Sequence, residues 1–171
     1  NIVSVDNSED QLSYKKITNF TNGLQIFSVS LKDSLILFDG VENHERNIYY
    51  YNLNNETSGL YKANNWDERD PVFKNGSMLT SNDRFGIFNI SLTRNDSENY
   101  LSNVIGGAFM PDISKNGDII FSVYQDGGYK VALLNNNGVV SDTNIGINWG
   151  SQTPHISDKD GSYSEFIGIK L

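Results

Sequence analysis

Two histidines are the only imidazoles in the chain, His44 and His155. A zinc site or a histidine acid–base pair needs a further ligand at short spacing, as in His-Glu-x-x-His, and neither residue has one. His44 sits in the acidic run Glu42-Asn43-His44-Glu45-Arg46 and reads as part of a solvated hairpin loop. His155 follows Pro154, beside the start of a strand. Glu68 and Asp70 are close enough in sequence to share acid–base work, but carboxylates in so polar a segment are ordinarily solvated. Asp158-Lys159-Asp160-Gly161 has the opening of a calcium loop and lacks the remaining ligands and the Glu at position twelve. No Gly-x-Ser-x-Gly elbow and no phosphate-binding Gly-x-x-x-x-Gly-Lys-Ser loop occurs. Cysteine is absent, so thiolate chemistry and disulfides are excluded. The sequence therefore predicts no catalytic residue, no metal site and no cofactor.

Charge narrows the partners. The net charge is −8 and the pI about 4.6. Nucleic-acid binding needs clustered Lys and Arg to neutralise phosphates, and anionic lipid needs the same. The charge therefore argues against nucleic acid and anionic lipid as partners. The 171 residues, 37% of them hydrophobic, suffice for one domain with a sizeable core. No apolar run approaches the ~20 residues of a membrane span. The chain opens on Asn1 rather than Met, which leads one to expect a processed or excised piece of a longer protein.

Whatever binds must be positioned by strands. The 23 asparagines and 15 glycines supply turn residues that tolerate positive φ, and no long helical apolar face is present. A phrase recurs instead. Ile48, Ile90 and Val131, each preceded by a polar residue (Asn47, Asn89, Lys130), sit 42 and 41 apart. Pro71, Pro111 and Pro154 sit 40 and 43 apart and open similar short runs. A period in this range marks a repeat architecture.

The clearest unit runs from Asn103 to Leu134. Pro111–Ser114 makes a first strand, Lys115-Asn116-Gly117-Asp118 a tight turn, Ile119–Val123 a second strand and Tyr129–Leu134 a third. Val139-Val140 would begin a fourth. In the preceding units Phe27-Ser28-Val29-Ser30 takes the proline-led place, followed by Leu35–Phe38 and Asn47–Leu53. Pro71-Val72-Phe73 is followed by Ser77–Thr80 and Ile87–Ile90. At the front, Ile2–Asp6 looks like a third strand without its first two.

These residues resemble a known family. Pro111 to Ser122 is similar to the Pro-x-(aromatic/aliphatic)-Ser-x-(Asp/Asn)-Gly-x-x-Ile-x-Phe-x-Ser pattern of the TolB-like, WD40-like (PD40) propeller repeat. Ser81-Asn82-Asp83-Arg84-Phe85-Gly86 resembles its Ser-x-Asp-Arg-x-Gly segment. Ile17-Thr18-Asn19-Phe20 and Leu101-Ser102-Asn103-Val104 look like its Leu-Thr-Asn connection between blades. Departures are Phe27 for the proline, Lys74 for the serine, and Ser91 and Ala132 for the usual tyrosine.

The fold expected is therefore all-β: a β-propeller of four-stranded antiparallel blades, three full and two partial. The boundaries are a partial blade at 1–15, blades at 16–60, 61–100 and 101–142, and a partial blade at 143–171. TolB-like propellers usually have six blades, and this chain supplies about four blades' worth. Either it is part of a larger ring or its two ends pair to close a smaller one.

The resemblance implies a non-enzymatic scaffold for protein–protein contact, periplasmic or on the cell surface. Alternatives are the substrate-gating propeller of a peptidase whose catalytic domain lies elsewhere, and a structural subunit of a larger assembly. Stiff rings bind through their loops. The residues singled out for binding are His44, Trp66, Arg69, Asp70, Asp112, Trp149 and His155. Trp66 and Trp149 each precede a proline by five residues. That offset places them in the linkers entering a blade, packed between blades or exposed at a channel mouth.

Overall fold

Strands alternate with tight turns throughout the computed structural model, which describes residues 1–6, 12–74, 76–135 and 169–170, the last two as backbone only. Fourteen strands are assigned among them, and no helix. No helix long and apolar enough to cross a membrane occurs among the described residues. Strands β1 (Val3–Asp6) and β2 (Ser13–Lys16) form a two-stranded hairpin. Blade 1 comprises β3 (Gln25–Lys32), β4 (Leu35–Glu42), β5 (Glu45–Asn52) and β6 (Thr57–Lys62). Blade 2 comprises β7 (Glu68–Lys74), β8 (Ser77–Asn82), β9 (Asn89–Arg94) and β10 (Ser97–Tyr100). Blade 3 comprises β11 (Ala108–Ile113), β12 (Ile119–Gln125), β13 (Gly128–Leu134) and β14 (Ile169–Lys170). Each blade is an antiparallel meander in chain order. Pro111 to Phe121 is the strand–turn–strand that the repeat predicts. Val139-Val140 lies outside the described residues; the fourth strand seen in blade 3 is β14.

Turn chemistry fixes the registers. Asn43 (φ 53°) and His44 (φ 71°) are both left-handed, as are Asn95 (φ 49°) and Asp96 (φ 61°). Two such residues make the primed turn whose twist matches the flanking strands. The first strands β3, β7 and β11 pack in sequence against one another, so the blades fan around a common inner edge.

The recurring Asn–Ile phrase has a structural purpose. The Asn47 carboxamide oxygen accepts from Asn64 N at 3.3 Å, and that of Asn89 from Val104 N at 2.9 Å. Each asparagine lies at or near the start of the third strand of its blade and pins the linker leaving that blade. Asn1 does the same to Phe20 N at 2.8 Å. Likewise the Thr18 hydroxyl accepts from Ile2 N, and the Ser102 hydroxyl from Ile90 N, both at 2.8 Å. The hairpin is therefore the third and fourth strands of a blade, as the sequence suggests. This also explains the Leu-Thr-Asn-like connection: its hydroxyl residue satisfies a backbone donor that would otherwise be buried unpaired. Blade 3 carries Lys130 at the asparagine position, and there the side chain pairs with Asp126 instead.

One alignment needs correction. Lys32, Lys74 and Ser114 end the first-strand side of each hairpin, opposite Leu35, Ser77 and Asp118. Three residues back stand Val29, Pro71 and Pro111, so Val29, not Phe27, holds the proline place. Each first strand contains a bulge, and in β3 it lies one pair nearer the strand start. Residue counting cannot see a bulge.

Cores form between blades. Leu79, Ile90 and Leu92 of blade 2 meet Ala108, Ile113, Ile119, Phe121 and Val123 of blade 3. Ile2 packs with Ile36 and Phe38 of blade 1, flanked by Phe20 and Tyr49. Fully burying a side chain of this kind contributes about 1.5–3 kcal/mol. Two first-strand lysines add inter-blade ties: Lys32 Nζ lies 3.5 Å from the Phe73 ring centroid, and Lys74 Nζ donates to Ile113 O at 2.5 Å.

A candidate binding site of arginine and aromatic residues

The bulges place three equivalent side chains at one end of the first strands. Phe27 lies in the bulge opposite Asp39, while Arg69 pairs with Ser81 and Phe109 with Ser122. Asp39, Ser81 and Ser122 pair in turn with Ile48, Ile90 and Val131 of the third strands. Two residues before these last three stand Arg46, Phe88 and Tyr129. Each blade thus brings one first-strand and one third-strand residue together. The Arg46 Cζ lies 4.2 Å from the Phe27 centroid. In blade 2 the roles are exchanged: Arg69 Cζ lies 4.4 Å from Phe88. In blade 3 both are aromatic, with Phe109 and Tyr129 at 6.3 Å, edge to face. The pairs also join across blades. Phe88 and Phe109 are 5.4 Å apart, and Arg69 lies 5.7 Å from Phe109.

The two guanidinium groups differ in their electrostatics. Arg46 donates from Nε to Asp39 Oδ2 at 2.6 Å, and its Nη2 forms a salt bridge to the same oxygen. Asp39 is fully buried, and its other oxygen accepts from the Ser28 amide at 3.0 Å and from the Ser28 hydroxyl. That carboxylate is neutralised and hydrogen-bonded, as a buried charge must be. Arg69 forms no salt bridge among the described residues, and its Nε is buried with no hydrogen-bond partner. Burial, with Arg46 close by, lowers the pKa of Arg69 from the usual arginine value.

Asp70 follows in the β7 bulge with φ 55°, and Met110 in the β11 bulge with φ 51°. Left-handed backbone at a non-glycine residue costs of order 1 kcal/mol. Here the Met110 amide donates to Asp70 Oδ2 at 3.0 Å and ties the two bulges together. Burial pushes the Asp70 carboxyl above the usual carboxylate range, against the Met110 amide, which pulls it down; Asp39 adds to the rise. Phe27 is 54% exposed and Met110 62%. The site offers a guanidinium that has no salt-bridge partner among the described residues and lies close to two rings, with exposed apolar side chains on the neighbouring first strands. Such a group suits a carboxylate, which it can meet with two parallel hydrogen bonds.

Of the seven residues singled out in the sequence, the structure brings Arg69 and Asp70 into this site. His44 is an exposed turn residue. Asp112 is exposed and its carboxylate accepts from its neighbour Ile113 N at 2.7 Å. Trp66 sits half-buried in a linker, donating to Glu68 Oε1 at 3.0 Å beneath Arg84, whose Cζ is 4.9 Å from the indole. Trp149 and His155 lie outside the described residues. Sequence reading missed Asp39, Phe88, Phe109 and Tyr129, and took Phe27 only for a lost proline. A signal existed: Arg46, Phe88 and Tyr129 share an offset from the recurring Ile/Val.

Neither a family profile nor a curated protein matches the chain. Solved structures do. TolB from Acinetobacter baumannii superposes with TM-score 0.62 at 21% identity, over 77% of this chain and 34% of its own. A putative TolB from Agrobacterium tumefaciens gives TM-score 0.60 at 13% identity, over 80% of this chain and 57% of its own. The fold is that of a TolB-like β-propeller. The chain spans a third to just over half of these neighbours' lengths, and its sheets do not close a ring among the described residues. Strand β1 pairs with β2 and β14 with β13, not with each other.

Proposed function

We propose that the chain is a non-enzymatic propeller platform for a protein partner in the bacterial envelope or secreted space. The observation that carries this reading is the Arg69 tier: a guanidinium with no salt-bridge partner among the described residues, close to the rings of Phe88 and Phe109, with exposed Phe27 and Met110 on the neighbouring first strands. Arginine and aromatic anchors are the side chains that concentrate binding energy at interfaces. The partner contributes an acidic side chain or a terminal carboxylate to Arg69 and an apolar neighbour to Phe27 or Met110. Strands hold Phe27, Arg69, Phe109 and Met110, and Phe88 stands one residue before β9, so little ordering is needed on binding. A location in the envelope accords with the TolB-like fold.

Bare apolar side chains on both flanks support a second contact, with further blades. Val29 and Leu31 on β3 are 51% and 64% exposed, on the face that the hairpin covers only at its outer part. At the other flank Ile120 and Val131 of blade 3 are 45% and 71% exposed. Patches of this kind on a sheet face accept another sheet.

Selection of linear peptides on the immobilised protein tests the binding reading. Enriched peptides should carry Asp, Glu or a free C-terminus beside an aromatic or aliphatic residue. Arg69→Ala should weaken them at least about tenfold, and Arg69→Lys should restore only part, because lysine cannot lie flat on the rings. Peptides without an acidic group, or binding untouched by Arg69→Ala, would sink the proposal.

A further inference from the structure

A cavity of about 440 Å³ opens where the linker Phe20–Leu24 meets blade 1, lined by Asn22, Glu42, Asn43, Glu45, Tyr49 and Leu60 among others. The equivalent positions of blade 2 carry other side chains, and the repeat identifies them. Phe20 and Asn64 are equivalent, since each is the linker amide held by a third-strand asparagine. Two residues on, Asn22 corresponds to Trp66. Gly40 and Asn82 are equivalent by their pairing with Asn47 and Asn89. Two and three residues on, Glu42 and Asn43 correspond to Arg84 and Phe85. Tyr49 pairs with Leu60, and Ser91 with Tyr100, so Leu60 corresponds to Tyr100.

In blade 2 these positions form a plug. The Arg84 Cζ lies over Trp66 at 4.9 Å and over Phe85 at 5.5 Å, and Phe85 tilts against Tyr100 at 5.1 Å. In blade 1 every member is smaller or opposite in charge. Asn22 donates to Glu42 Oε1 at 2.7 Å and does not fill the space. The cavity keeps an aromatic floor: Tyr49 is stacked on Phe38 at 5.7 Å, and Phe38 tilts against Phe20 at 5.6 Å. Glu42 and Glu45 stand close enough to Tyr49 to add to the rise that burial gives its phenol pKa.

The geometry points to a binding site for a cation on an apolar stem, the ammonium or guanidinium of a lysine or arginine side chain. The stem would lie on Tyr49 and Leu60, and the cation between Glu42 and Glu45. It would supply from outside the charge that Arg84 supplies to blade 2 from within. Aromatic faces and carboxylates attract cations by separate means, and a cavity with both is selective for them. This site is independent of the Arg69 tier, which takes the opposite charge.

The test is calorimetric titration of the full chain with three blocked amino acids: Nα-acetyl-lysine, Nα-acetyl-arginine and Nα-acetyl-norleucine N-methylamides. Both cations should bind, the tighter one identifying the side chain preferred. The neutral norleucine compound should bind at least about tenfold more weakly. The double variant Glu42→Gln/Glu45→Gln should lose about tenfold in cation affinity with an unchanged melting curve. The plugged variant Asn22→Trp/Glu42→Arg should lose binding altogether. Norleucine binding as well as lysine and arginine, wild-type affinity in the double variant, or no cation binding at all would overturn the proposal.

Discussion

The junction between the hairpin and blade 1 and the junction between blades 1 and 2 follow one plan with different chemistry. In both, an asparagine pins the linker and a residue two places earlier closes the end of the fourth strand. At the first junction that residue is Thr18, 2% exposed, which accepts one backbone bond. At the second it is Lys62, whose Nζ bridges Glu68 at 2.9 Å and Glu98 at 2.7 Å. Glu68 is fully buried and also accepts from Asn64 at 2.7 Å and Trp66 at 3.0 Å, all on Oε1. Glu98 in turn accepts from Ser91 at 2.8 Å. The hydrogen bonds continue through Asn82 to the Tyr100 hydroxyl, whose pKa burial raises. One junction is stitched by neutral groups and leaves a cavity. The other is stitched by charge and carries the Trp66, Arg84, Phe85 and Tyr100 cluster. A buried ion pair is costly to assemble and costlier to break, so blade 2 depends on its linker lysine as blade 1 does not depend on Thr18.

The largest effect should come from Lys62→Met, which keeps the stem and removes the charge. Glu68 would keep two neutral donors and lose its counter-ion. Uncompensated buried charge of this kind costs about 3–5 kcal/mol, near the lower part of that range here because the lysine is 18% exposed. Urea unfolding should show a midpoint shift of that size. A loss below about 1 kcal/mol, the value of an exposed pair, would break the contrast by making Lys62 an ordinary surface residue.

Thr18→Val is the matched change at the neutral junction. It removes one hydroxyl acceptor and leaves the Ile2 amide without that partner, so the expected cost is about 1–2 kcal/mol. Equal losses for Thr18→Val and Lys62→Met, read from the same urea curves, would show that charge adds nothing to the second junction.

Much of this architecture is legible in the sequence because tight turns and recurring phrases are local. Asn-Gly turns, the Asn–Ile opening of the third strand and the hydroxyl of the linker can all be read along the chain. Asp83-Arg84 is legible as architecture too: the Asp83 carboxylate accepts from Asp67 N at 2.9 Å, and Arg84 covers Trp66. The binding tier is less legible, since it depends on the bulges. Shifting a strand by one residue changes which side chains share a face, and Phe27 joins Arg46 only once the β3 bulge is placed. Exchange of Phe–Arg for Arg–Phe between blades 1 and 2 also hides the pattern from any search for a repeated residue type. Only position and partner recur.

The smallest effect concerns Asp70, where the third junction lies between the other two in character. Its carboxylate is partly buried, where that of Glu68 is fully buried, and it accepts a hydrogen bond from one backbone amide, Met110 N. Burial holds its pKa above the ordinary carboxylate value. The folded state therefore binds this proton more tightly than the unfolded state does. The stabilisation this gives is fully present below the unfolded pKa, near pH 4, and is lost as pH rises through the folded value. Asp70→Asn should remove that loss, so the variant should gain on the wild type as pH goes from 4 to about 7, by less than about 1 kcal/mol because the group still meets solvent. Chemical unfolding of both proteins across that range reads the difference. A difference independent of pH would mean that the Met110 amide offsets burial in full. Asp70 would then be as well satisfied by one backbone donor as Glu68 is by a lysine and two side-chain donors, and charge pairing would no longer distinguish the junctions.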